Sequence, residues 1–167
     1  MDDPVLARRS IRAYTAEPVG NEQVERLLRA AMAAPSAGNQ QPWRFVVVTD
    51  RATLAEIPTV HPYSRMLEHA PLAIVVCGVE ADQRWPQYWV QDCSAAVENI
   101  LIEAVLLGLG AVWLGVYPLD ERVRGLRRLL AVPDEVIPFA VVAVGHPAES
   151  KAPVDRFDRE RIHRERW

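Results

Sequence analysis

Apolar runs without polar alternation constrain this chain most. In Trp43–Thr49, Val46, Val47 and Val48 follow one another with nothing polar between them. A strand with one wet face alternates, so an unbroken run marks a strand covered on both faces. LAIVVCGV after Pro71, then AVWLGVY and FAVVAVG, read as three further strands. The sheet therefore carries helices on both sides. Val24, Leu27, Leu28, Ala31 and Met32 recur at helical spacing after Asn21, a good N-cap, with Glu22, Glu25, Arg26 and Arg29 on the other face. Asp50 caps a short helix through Leu54 and Ile57, Pro58–Ser64 reads as loop, and a further short helix spans Asp120–Leu130. The longest helix candidate, Asp92–Leu109, is apolar nearly all round, its exceptions Asp92, Asn99 and Glu103 forming one narrow stripe. One small domain rarely buries a helix so completely, which places this one at an expected dimer interface.

The 167 residues, 50% hydrophobic and 25% charged, suit a single soluble domain. A net charge of -3 and a pI near 5.8 give no global attraction for nucleic acid or an anionic membrane. MDDPVLARRSIR has acids where a signal peptide has a basic region, so the expected location is the cytoplasm. Cys77 and Cys93 lack CxxC spacing and read as reduced thiols. No repeat or membrane-length apolar run is present in the sequence.

Arg8, Arg9 and Arg12 with Ser10 between them form a compact anion site, suited to a phosphomonoester. Lys151 and Arg156 are placed to close round the same anion if the tail folds back. The junction AAPSAGNQQPW combines turn formers with a dense set of amides; it reads either as a helix cap and surface turn or as a cradle for a flat polar ligand. Trp85, Tyr88 and Trp89, set among polar residues, suit a pocket wall or lid, or equally a cover for the core edge. From His146 onward the chain is polar, either disordered or docked, and the closing Trp167 favours docking. No Walker loop, GxSxG or HExxH is present, and His61, His69, His146 and His163 show no ligand or triad spacing. GLGAVWLG follows a helix and opens a strand, the reverse of a dinucleotide fingerprint. Arginines, amides and aromatics without a nucleophile or a metal set point to reactivity supplied by a bound cofactor.

RRSIRAY, APSAGNQQPWRFVVV, a long helix ending in GLGAVWLGVYP and a late VVAVGHP together resemble the nitroreductase family of FMN-dependent oxidoreductases, in the family's order and over nearly the whole chain. The resemblance implies an α+β fold: a three-layer α/β/α sandwich, a mixed, mostly antiparallel sheet and a long central interface helix. It implies one domain over 1–167, with 147–167 a tail docked on the partner subunit of a homodimer, and FMN bound at the interface. By resemblance, Arg8 and Ser10 hold the phosphate with Arg9 beside them, and Arg12 lies against the pyrimidine edge. Pro35, Ser36, Ala37 and Asn39 come from the other subunit, with Gln41 supporting that turn. Leu114 and Gly115 approach the flavin N5 side, Lys151 and Arg156 reach the phosphate, and Trp85, Tyr88 and Trp89 border the substrate. The implied chemistry is a ping-pong cycle in which NADH or NADPH reduces FMN and a nitroaromatic, quinone or similar acceptor reoxidises it. No side chain is catalytic in its own right. The same site could serve a specialised dehydrogenase, oxidase or dehalogenase, or a flavin-binding protein without turnover.

Overall fold

The computed structural model describes residues 3–81 and 83–167. In chain order the elements are α1 (Pro4–Ala7), α2 (Asn21–Met32), β1 (Trp43–Val48), α3 (Arg51–Val60), β2 (Leu72–Val79), α4 (Trp89–Leu106), β3 (Gly110–Gly115), α5 (Asp120–Leu129) and β4 (Val136–Gly145). The strands lie in the order β1-β2-β4-β3, antiparallel at every pairing. A single bridge between Ser10 and Ala111 is the parallel component among the described residues.

Both faces of the sheet are covered, which is why its strands do not alternate. Leu72, Ile74 and Val76 of β2 pack with Leu27, Ala96, Val97 and Ile100 under α2 and α4. Ala73, Val75 and Cys77 pack with Leu54, Ile57, Val123 and Leu126 under α3 and α5. Burying one such side chain contributes roughly 1.5–3 kcal/mol, so period-2 positions on each face hold their own layer. The result is the three-layer α+β sandwich. Gly78 is needed where α4 meets β2: a Cβ there would stand 2.3 Å from the Trp89 ring. Cys77 and Cys93 are buried free thiols, and burial pushes both up to about 12.

Several boundaries differ from the sequence expectations, among them the start of β4, at Val136 instead of Phe139. Gly20, not Asn21, is the N-cap of α2, and its N–H donates to Gln23 Oε1 at 3.0 Å, so the reciprocal half of a capping box secures this end. Helix α3 continues through Pro58 to Val60, held by Leu54 and Ile57, which are fully buried. Helix α4 starts at Trp89 and ends at Leu106, not Asp92 and Leu109, so that Asp92 lies buried in its first turn. Strand β3 stops at Gly115 because the N–H groups of Val116 and Tyr117 both turn to Phe139 O, at 3.1 and 3.0 Å.

Candidate functional site

Residues 10–15 are gripped from two sides. Ile11 N–H donates to Ala111 O of β3 (3.0 Å), while Thr15 N–H donates to His146 O and Ala148 N–H to Ala13 O, both at 2.9 Å. Glu149 adds a charged anchor, accepting from Arg12 N–H at 2.5 Å and Ala13 N–H at 3.2 Å. The Arg12 amide, then Lys151 and the Ala13 amide, hold the Glu149 carboxyl below its ordinary range. Lys151 Nζ in turn donates to Ser10 O at 2.7 Å. This grip collects Arg8, Arg9, Ser10, Arg12, Lys151 and Arg156 around one cavity of about 240 Å3. Among the described residues, no carboxylate lines it. Arg8 pairs outside it with Glu98 (3.2 Å) and Lys151 with Glu149 (3.2 Å). Among the described residues, Arg9 Nε is buried with no hydrogen-bond partner. A buried donor left unmade costs about 1–3 kcal/mol. All six residues expected from the sequence at an anion site are thus brought together.

Arg12 also lines a second cavity of about 400 Å3, with His61, Tyr63, Met66, Trp113, Leu114, Gly115 and Arg122. Its floor is the free edge of β3. The alternation of an edge strand sends the backbone groups of Ala111, Trp113 and Gly115 away from β4, and two of these are accounted for. Ala111 O takes Ile11 N–H, and Gly115 O takes both His61 Nε2 (2.9 Å) and Arg122 Nη1 (2.8 Å). A carbonyl only accepts, so Nε2 of His61 carries the proton. Burial pushes the His61 pKa below the ordinary imidazole value, and the Arg122 guanidinium pushes the same way against the pull of the Gly115 carbonyl. Leu114 and Gly115, which the resemblance sets near the flavin N5, are among the residues lining this cavity. His61, Tyr63, Met66 and Arg122 were not singled out by residue type, and no local sequence signal links them.

The junction after α2 is more than a surface turn. Gly38, Asn39 and Gln41 all have positive φ (56°, 57° and 51°), a conformation that costs a non-glycine residue roughly 1–3 kcal/mol. Side chains hold it there. Ser36 Oγ accepts from Gln41 N–H, and Gln41 Nε2 donates to Asn39 Oδ1, both at 3.0 Å. Buried Asp92 accepts from Ala37 N–H (3.0 Å) and Gln40 Nε2 (2.8 Å). Gln40 also brackets Trp85, donating to its carbonyl and accepting from its N–H, both at 3.1 Å. Within one chain, Pro35, Ser36, Ala37 and Asn39 line neither the arginine cavity nor the β3 edge, and Gln41 borders a separate hollow beside Met32 and Phe45. The aromatic trio divides. Trp85 and Tyr88 are 42% and 44% exposed, whereas Trp89 is 3% exposed and packs on Tyr117 and Phe139. Trp89 is therefore a core residue of its own chain, because α4 begins there and turns it inward.

Comparison with known proteins agrees with this geometry. The chain matches the Nitroreductase family over residues 5–146. It is 50% identical over 165 residues, 99% of this chain and 86% of the relative, to a protein of Methanothermobacter thermautotrophicus provisionally named NADH dehydrogenase/NAD(P)H nitroreductase. Its fold is similar to a crystal structure from Clostridium acetobutylicum provisionally named an NADH oxidase, with a TM-score of 0.96, 47% identity and coverage of 99% of this chain and 100% of that one. It is also similar to an FMN-dependent nitroreductase of Clostridium difficile, with a TM-score of 0.92, 28% identity and full coverage of both chains (100% of each). The fold, the ordered arginine cluster and a match along nearly the whole sequence place this chain in the nitroreductase family.

Proposed function

We propose that this protein is a homodimeric, cytoplasmic FMN-dependent oxidoreductase that takes electrons from NADH or NADPH and passes them to a nitroaromatic, quinone or similar acceptor. The observation that carries this reading is that two cavities share Arg12 in their lining: a cationic cradle on one side and a hollow along the β3 edge on the other. FMN has that shape, a phosphomonoester at one end and a planar ring system at the other. When bound it supplies reversible hydride chemistry, for which the chain has no substitute.

The residues have separable tasks. Arg8, Ser10, Lys151 and Arg156 hold the phosphate, and Arg9 Nε gains the acceptor it lacks. Arg12 presents its guanidinium to the pyrimidine edge, where a cation favours the reduced, anionic form. Leu114 and Gly115 bring backbone to the N5 side. Pro35, Ser36, Ala37, Asn39 and Gln41 serve the partner's cofactor; their strained, side-chain-braced geometry apart from their own chain's arginine cavity supports this. Trp85 and Tyr88, exposed and tied to that junction, border the acceptor. One open ring face serves nicotinamide and acceptor in turn, hence a ping-pong cycle. Phe157, Ile162 and Trp167, exposed at 69%, 53% and 101%, support a tail that docks on a second copy. The names of the relatives, which join NAD(P)H with nitroreductase and FMN, support the chemistry. Two buried free thiols suit a reducing compartment.

Anaerobic mixing of the flavin-loaded protein with NADH and with NADPH tests the proposal. Bleaching of the flavin band that a quinone reverses is the expected outcome. Absence of bleaching with both nucleotides overturns it.

A further inference from the structure

We infer that His61 and Arg122 are positioning residues that lock Gly115, the last residue of β3, so that its N–H is held at one place on the floor of the second cavity. The purpose of that lock rests on the FMN reading above, since it would fix the amide facing the hydride-carrying edge of the cofactor.

Gly115 needs a lock. It ends an edge strand, is exposed, and among the described residues has nothing within 4 Å of where a Cβ would stand. A glycine so placed is the freest residue of the strand. It stands opposite Ala140 in the register, but its own N–H and C=O point away from β4. On the other side its carbonyl receives two donors, His61 Nε2 and Arg122 Nη1, which stand 3.4 Å apart and converge on one oxygen. Two donors fill both lone pairs of a carbonyl and fix its direction. In an antiparallel strand the N–H and C=O of a residue point to the same side, so fixing the carbonyl fixes where the N–H points.

The two donors are themselves held. His61 is 1% exposed and follows α3, and its own carbonyl accepts from Ser64 Oγ at 2.7 Å. Arg122 lies in the first turn of α5 with its guanidinium 5.4 Å from the Tyr63 ring centre. The helices that carry them meet closely, for a Cβ on Gly125 of α5 would stand 2.7 Å from Val60 Cβ of α3. One donor would satisfy the carbonyl. A second, drawn from a half-exposed arginine that could face water, adds direction.

The test compares Arg122→Met, Arg122→Lys, His61→Phe and His61→Gln with the parent. Each is read by stopped-flow reduction of the flavin-loaded protein, by flavin affinity, and by hydrogen exchange of residues 114–117 in the protein stripped of flavin. Arg122→Met is expected to slow flavin reduction by about 10- to 100-fold, the scale of a misplacement near 1 Å, with flavin affinity unchanged and faster exchange at 114–117. His61→Phe is expected to act the same way, and His61→Gln and Arg122→Lys, which keep a donor, to restore most of the rate. Parental exchange and parental reduction in Arg122→Met overturn the inference, as does a His61→Gln protein as slow as a folded His61→Phe. If His61→Phe does not fold, Arg122→Met decides alone. A parent that binds no FMN overturns the proposed function instead, and the exchange measurement still reads the lock.

Discussion

At the scale of single residues, the protonation state of His61 ties stability to pH. Burial and the Arg122 guanidinium disfavour its imidazolium, so its folded pKa lies below the ordinary 6.5. The unfolded chain therefore takes up the proton first as pH falls. Its stabilising contribution is complete above pH 6.5 and is lost as pH drops through the folded pKa. Urea denaturation at pH 7.5 and pH 5 should show the parent losing more stability than His61→Gln on acidification. Equal losses would show that His61 titrates as a free imidazole. His69, His146 and His163 are common to both proteins and cancel, and Glu149, held below 4.5, changes charge at lower pH. His61 also marks where reading by residue type stops. Its partner Gly115 is 54 positions away, and the contact exists only because α3 and α5 pack side by side. Arg8, Arg9, Ser10 and Arg12 are the opposite case, since one short segment carries the whole charge pattern.

At the scale of elements, α4 organises the site from beneath. Its polar stripe, legible from helical spacing, is engaged by its own chain: Asp92 holds Ala37 and Gln40, Asn99 Nδ2 donates to Ala30 O at 2.9 Å, and Glu103 pairs with Arg26. The stripe thus fastens α2 and the strained junction to the longest helix. Its own chain buries Trp89, Asp92, Cys93, Ala96, Val97, Ile100, Leu101 and Ala104, leaving a partly exposed flank that ends at Leu106 (46%). That flank, narrower than an all-apolar helix suggested, is what remains for a partner. The phase of α4 could not be read from composition, because Trp85, Tyr88 and Trp89 are alike in chemistry and only the true start of the helix separates core from surface. Asp92→Ala removes two hydrogen bonds to a charged group and leaves Ala37 N–H without its acceptor. The expected cost is about 1–3 kcal/mol in urea denaturation, with weaker flavin binding because residues 36–41 lose their brace. A variant as stable as the parent would show that the junction holds its own shape.

At the scale of the whole molecule, one chain holds only part of the proposed site. The arginine cradle is complete in it, whereas the junction residues face away from that cradle and the tail lies open. Beyond Ser150 the tail does two jobs. Lys151 and Arg156 turn back onto their own chain's cavity, while Phe157, Ile162 and Trp167 stay largely exposed, Phe157 at the rim of a hollow shared with Val5 and Leu6 and Trp167 stacked on His163. A chain ending at Arg156 separates the two, because it keeps both cations and loses the three exposed apolar side chains. If those side chains dock on a second copy, the shortened protein dissociates at concentrations where the parent scatters light at twice the 18.7 kDa chain mass. It should also bind flavin more weakly as it dissociates, because the partner's Ser36, Asn39 and Gln41 leave with the partner, and raising protein concentration should restore the affinity. A shortened chain that stays dimeric would assign the interface to the α4 flank alone. A monomer that holds FMN as tightly as the parent would remove the partner's junction from the site altogether.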